Sequence, residues 1–364
     1  MKAIWLPGVA VIGLAMAGAA QEGVMIGHDL SEEAAEGTKV FLAGSLPDLS
    51  IHLSEVGGKD LVKITTSLER PDLLLGVEDF TCRRLAKIGL LVARSSSEAA
   101  HLAPRFRPSD GRFVVPLLSP ITLAFNQTWT WESAPADYDD LLWKEEYLDE
   151  LILCEPQAMP GLWVGMIQRQ HRLGHGDEMA FTWLRTLDAR VSGYRSGTED
   201  LLSTLQAGAE GSLAFLPYAE LVAGSPGVSF RIPSSGMPVR GLGLALVSQD
   251  AGVRPAAERV FDALASREYA LAISKSAHLV PAPRDDLPID ELSESVRLAR
   301  TRLMPYDLAA AHPQRWFQRW RDDVEGWGRY YVDFDTVFYI IGSIGFLIFA
   351  FFVYRHLEVT EKNG

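Results

Sequence analysis

The chain has 364 residues, with 34 Lys and Arg against 47 Asp and Glu, a formal net charge of -13. That balance disfavours a nucleic-acid partner and leaves no basic footprint for anionic lipid. Its two cysteines, Cys82 and Cys154, fit no metal spacing and leave open either one bridge in an oxidising compartment or two isolated thiols.

Residues 1–20 read as an export signal. Lys2 gives a basic start, Ile4 to Ala17 an apolar run, and Gly18, Ala19 and Ala20 a small-residue cleavage site before Gln21. Beyond it, strands alternate with amphipathic helices. Val24 to Gly27 is a short strand leading to His28 and Asp29, and Ser31 to Ala43 continues as a helix. Leu49 to Val56 is the next strand, followed by a turn at Gly57 and Gly58 and a helical pattern from Lys59 to Leu68. Pro71 introduces Asp72 to Gly76, whose Leu73, Leu74 and Leu75 form the continuous apolar run of a buried parallel strand. This opens an α/β sheet, in which ligands bind beyond the C-terminal strand ends, so His28, Asp29, Gly76 and Glu78 become candidates.

Val114 to Leu118 and Ile121 to Phe125 form two further β-rich runs, ending at Asn126. Ser119, Asn126 and Thr128 lie where one lobe passes into the next, placed to bridge lobes or to satisfy turns. A second α/β set begins near residue 127, with a strand at Leu151 to Leu153, a Pro- and Gly-containing loop from Glu155 to Gly161, and helices over Trp163 to His171 and Asp177 to Asp188. The run Tyr194, Arg195, Ser196, Gly197, Thr198, Glu199, Asp200 is the strongest local site candidate, because Ser and Thr can cap a helix start and Gly lets a ligand approach backbone amides. An ordinary N-cap explains it equally well. Leu213 to Leu216 is a strand that places the Tyr218 hydroxyl near the same crevice, although core packing accounts for Tyr218 at least as well. Val228 to Ile232 and Leu242 to Val247 then return toward the first lobe.

Near the C-terminus, Trp327, Tyr330 and Tyr331 form an interfacial belt before an uncharged run, Thr336 to Tyr354. At about 1.5 Å per residue that run spans a bilayer core of roughly 30 Å. Asp333 and Asp335 before it, and Arg355, His356 and Lys362 after it, place the body outside and residues 355–364 in the cytoplasm.

The order of these segments resembles the type 2 periplasmic solute-binding proteins of ABC importers, in the branch that binds ferric iron, polyamines, thiamine and small phosphorylated or carboxylated solutes. The resemblance covers Val24 to Gly328 and rests on ERPDLLLG at Glu69 to Gly76, LAKIGLL at Leu85 to Leu91, PITLAFN at Pro120 to Asn126, and YRSGTEDLLSTLQAGAEGSLAFLPYAEL at Tyr194 to Leu221. It extends to VSFRIPSSGMPVRGLGLALVS at Val228 to Ser248 and AAERVFDALASREY at Ala256 to Tyr269.

The resemblance implies two lobes joined by crossing strands, over residues 21–126, 127–221 and 222–328, with a final helix packing on the first lobe through about Trp320. It also implies a solute cleft contacted by His28, Asp29, Gly76, Glu78, Ser119, Asn126, Ser196, Gly197, Thr198 and Tyr218, to which the residues alone add Glu155, in a loop that either lines the cleft or simply turns the chain. Ala158 to Gly161 departs from the Ser, Gly and Thr common at that loop in the family, and Pro217, Tyr218, Ala219 lack the adjacent tyrosines of ferric-binding members.

The function expected is a membrane-anchored extracytoplasmic solute-binding protein that works with an ABC permease and nucleotide-binding subunits. The alternative is a tethered sensor, assembly or scaffold protein on the same fold. No catalytic residue, metal or cofactor is expected. His171 and His175, split by Gly174, read as solvated surface, and no nucleophile constellation is present.

Overall fold

A computed structural model describes residues 23–57, 60–67, 70–208, 210–249, 254–305 and 312–324. The expected export signal, residues 1–20, and the expected membrane span and tail, residues 336–354 and 355–364, lie outside the described residues. Among the described residues no helix is long and apolar enough to cross a membrane.

The first lobe alternates strictly at its start. β1 (Gly23–His28) leads to α1 (Glu32–Ser45), β2 (Ser50–Glu55) to α2 (Leu61–Thr66), and β3 (Leu73–Glu78) to α3 (Asp79–Lys87). The caps are local: the Ser31 hydroxyl accepts from Ala34 N at the start of α1, and the Asp60 carboxylate from Val62 N and Lys63 N at α2. β1 lies between β2 and β3, parallel to both, and every residue of β3 is buried, as its leucine run requires. The short β4 (Leu91–Val92) and α4 (Ser97–Ala100) come next.

β5 (Val114–Asn126) is one uninterrupted strand of 13 residues where the sequence predicts two runs. Pro120 does not break it, because the strand changes ladder partners there: Pro120 pairs with Val239 in one sheet, and Ile121 pairs with Pro217 in the other. A residue with no N–H is tolerated at such a change of partner.

The second lobe contains α5 (Asp140–Trp143), β6 (Leu151–Cys154), α6 (Pro160–Arg172), α7 (Asp177–Asp188), β7 (Val191–Arg195), α8 (Thr198–Ala207), β8 (Leu213–Pro217), α9 (Tyr218–Val222) and β9 (Val228–Arg231). β6 runs parallel to β7 and β8, while β8 and β9 flank the distal half of β5 in antiparallel fashion. β9 therefore stays in the second sheet, and the return crossing falls at residues 232–238. That crossing is pinned to the second lobe: Ser234 N donates to Ala136 O (3.1 Å), Ser235 N to Asp137 Oδ2 (2.8 Å) and Tyr138 Oη to Gly236 O (2.9 Å).

β10 (Val239–Val247) then inserts antiparallel between β3 and β5, giving the strand order β2-β1-β3-β10-β5-β8-β6-β7. α10 (Pro255–Ala265), α11 (Arg267–Ser276), β11 (Val280–Pro281) and α12 (Glu294–Thr301) complete the first lobe, with β11 paired to β5.

α13 (Pro313–Asp323) corrects one expectation, since it packs on the second lobe rather than the first. Trp320 sits 4.2 Å from Trp163 of α6 and 6.2 Å from Tyr194 of β7, centroid to centroid. The Arg319 guanidinium lies 4.4 Å over the Phe181 ring of α7 and pairs with Glu178 at 2.6 Å. Aromatic faces on α6, α7 and β7 outcompete the first lobe for this helix. Cys82 and Cys154, left open by the sequence, are free and buried, one in each lobe.

Candidate functional site

The strand ends of the two sheets meet at the crossing, and Arg240, the second residue of β10, stands at their junction opposite Ser119 of β5. Its Nη2 donates to Asp29 Oδ2 in the loop after β1, and its Nε lies 3.5 Å from Glu78 Oε1 at the end of β3. Glu78 precedes α3 without capping it; instead its Oε1 accepts from the backbone N–H of Gly161 in the first turn of α6 (3.1 Å). A carboxylate of the first lobe thus satisfies a helix start of the second.

Glycines permit this closeness. At Gly161 a Cβ would stand 2.9 Å from Arg240 Cα, and at Gly165, one turn later, 2.6 Å from Pro238 Cβ. Gly76, at φ 75°, leaves room for Leu30, whose side chain an added Cβ would overlap, so the Asp29 loop folds down beside β3.

Burial sets the protonation of this floor. Glu78 is 5% exposed, and loss of solvation pushes its carboxyl up to about 7 against the pull of Arg240 and the Gly161 N–H. Asp79 is wholly buried, neither oxygen has a hydrogen-bond partner among the described residues, and burial with the adjacent Glu78 charge holds it well above the carboxylate range. Arg240 is disfavoured as a cation by burial, but the charges of Asp29 and Glu78 outweigh that and raise its pKa. His28, at the end of β1, has its pKa lowered by burial despite Glu55 and Asp29, and its Nδ1 has no partner among the described residues.

On the second lobe, Glu155 is exposed at the end of β6, where its carbonyl accepts from Ala158 N and Met159 N and so turns the chain into α6. Ser196 is exposed, Gly197 is the N-cap of α8 with open space around it, and Thr198 is half-buried in the first turn. Glu220 of α9 is pushed up to about 7, by burial first, with Arg240 opposing and Glu33 and Glu199 adding.

The structure brings Asp29, Glu78 and Ser119 to Arg240, leaves His28 at the end of β1 and Gly76 beside Leu30 and the Asp29 carbonyl, and sets Glu155, Ser196, Gly197 and Thr198 at strand ends and a helix start of the second lobe. Two predicted residues are engaged elsewhere. Asn126 donates to Leu205 O (3.1 Å) and accepts from Thr128 N (3.0 Å), closing the end of α8. Tyr218 is buried edge-on to Phe230 (5.4 Å), with its hydroxyl donating to Ser295 O (3.3 Å). Sequence reasoning missed Arg240, Asp79 and Glu220. The one available signal was a lone arginine after Pro238 at the head of an apolar, Gly-alternating strand.

No family model matches the sequence, and no curated protein matches it. Solved structures do match. The periplasmic binding protein P5PA superposes with a TM-score of 0.67 at 18% identity, over 83% of this chain and 99% of that one. AfuA from Actinobacillus pleuropneumoniae, solved with exogenous fructose-6-phosphate bound, gives 0.65 at 17% over 83% and 99%. The apo ferric ion-binding protein A of Pasteurella haemolytica gives 0.67 at 14% over 83% and 97%. The chain has the type 2 periplasmic binding-protein fold. The Arg240 cluster sits where strands of the two sheets meet at the crossing, and in open α/β sheets ligands bind beyond the strand ends.

Proposed function

We propose that this protein is the extracytoplasmic solute-binding component of an ABC importer, held at the membrane by one C-terminal helix and capturing a small solute by lobe closure. The observation that carries it is the pair of α/β sheets joined along β5 and through residues 232–238, with opposed strand ends converging on Arg240 and a further passage of the chain from α12 to α13. Crossing strands of this kind form a hinge, and closing it around a solute changes the surface offered to a permease. Binding rather than turnover is supported by neighbours of the same fold that are binding proteins. Solute contacts are assigned to Asp29, Ser119, Glu155, Ser196, Gly197 and Thr198, which leaves Asn126 and Tyr218 to packing.

Mass spectrometry of small molecules released from the purified body, followed by calorimetry with the candidates, tests this reading. A reproducible solute whose binding compacts the protein in small-angle scattering supports it. Absence of any solute across a wide concentration range, with unchanged scattering, sinks it.

A second reading is favoured by one contact. Glu78 already bridges the lobes at the floor of the crevice, as expected of a sensor or scaffold that keeps the fold without transport. Co-purification with membrane proteins other than a permease and a nucleotide-binding subunit selects that reading.

A further inference from the structure

An arginine beside an uncapped helix start is a pair built for an anion, and here carboxyl groups of the chain itself stand against both halves, although the buried Arg240 Nε makes no hydrogen bond among the described residues. α6 begins at Pro160 with no side-chain cap from Met159, and its Gly161 N–H is taken by Glu78 Oε1 at 3.1 Å. The same oxygen lies 3.5 Å from Arg240 Nε, and the other end of that guanidinium is held by Asp29. Glu78 reaches this point from the opposite lobe, is 5% exposed, and leaves its own helix, α3, without a side-chain cap. The carboxylate is spent on the crevice rather than on the element that carries it.

We propose that Glu78 is the specificity-determining residue of the crevice, an internal surrogate for a solute anion that excludes phosphate- and carboxylate-bearing solutes and reserves the site for neutral or cationic ones. A second anion at this floor would meet the Asp29 carboxylate and find the Gly161 N–H taken by Glu78 and one end of the Arg240 guanidinium held by Asp29. The inference takes the location of the crevice from the solute-capture reading, but its own test does not require the solute to be known.

The test is anion rescue of Glu78→Ala in the full chain purified in detergent, with formate as the probe and chloride at equal ionic strength as the control. Formate is expected to raise the thermal midpoint of the variant by about 2 to 4 °C at roughly 0.1 M, and that of the wild type by less than half as much. Inorganic phosphate is expected to bind the variant about tenfold more tightly than the wild type. An equal response of both proteins to formate, or a folded variant indifferent to both anions, overturns the proposal. Should Glu78→Ala fold only with formate present, the dependence of its refolding yield on formate gives the same support, and no recovery with formate counts against it. Failure of solute capture shows separately, as a wild type that releases and binds no small molecule.

Discussion

Glu78 and Glu220 share a feature that ordinary surface carboxylates lack: burial raises both to about 7 from 4.5. A carboxyl whose pKa is higher folded than unfolded stabilises the fold when protonated. That contribution is complete below about 4.5 and is lost as the pH rises through about 7. Thermal midpoints of the wild type should therefore fall across this window, and Glu78→Gln, which cannot ionise, should show a shallower fall. Identical slopes in the two proteins would remove Glu78 from the titration. At this scale the sequence was legible in part. His28, Asp29, Gly76 and Glu78 were candidates because ligands lie beyond strand ends in α/β sheets, and the structure places Asp29 and Glu78 on Arg240. Arg240 was not, because one arginine at the start of a strand looks the same whether it faces solvent or a carboxylate pair. Tyr218 failed for the converse reason: its strand end was placed well, but nothing local shows that Ser295, 77 residues away, accepts its hydroxyl.

Among elements, α6 and α13 depend on one another. α6 lies against the crossing through Gly161 and Gly165, and its other side carries Trp163, on which Trp320 packs. Trp163 is 1% exposed and Trp320 4%, so Trp320→Ala should cost about 3 to 5 kcal/mol in denaturant unfolding. A loss below about 1 kcal/mol would show that α13 does not contribute to the second lobe's core. Most elements were readable from hydrophobic period and turn residues: the Leu73 to Leu75 run gave a buried strand, and Asp177 to Asp188 gave a helix with the predicted bounds. The packing partner of α13 was not readable. Its aromatic stripe announces that a partner exists, while which lobe supplies it depends on rings brought together from α6, α7 and β7. The merging of two predicted runs into β5 has a similar cause, since Pro120 ends a strand in isolation and is harmless where the ladder changes neighbours.

For the whole molecule, the proposed topology makes a simple demand. α13 ends on the second lobe, so a chain cut after Val324 should keep its packed body and lose only residues 325–364. Expressed with residues 1–20 in place, the truncated protein should appear in the soluble fraction after cell disruption, while the full chain sediments with membranes. Retention of the truncated form in the membrane fraction would show that the late apolar run is not the anchor. The order of family-like segments made the two-lobe architecture legible in outline, but not which lobe holds β9 or α13. The solute remained unread, because recognition is set by a few side chains meeting across the crossing.

β5 also governs how the molecule comes apart. Its 13 residues, roughly 43 Å of extended chain, set one half between β10 and β11 in the first sheet and the other between β8 and β9 in the second. Peeling it from either sheet strips β10 or β8 of a neighbour, so neither lobe can melt while the other survives intact. Amide hydrogens along β5 should exchange only through global opening, and both lobes, whose buried apolar residues form one continuous cluster, should share one unfolding transition.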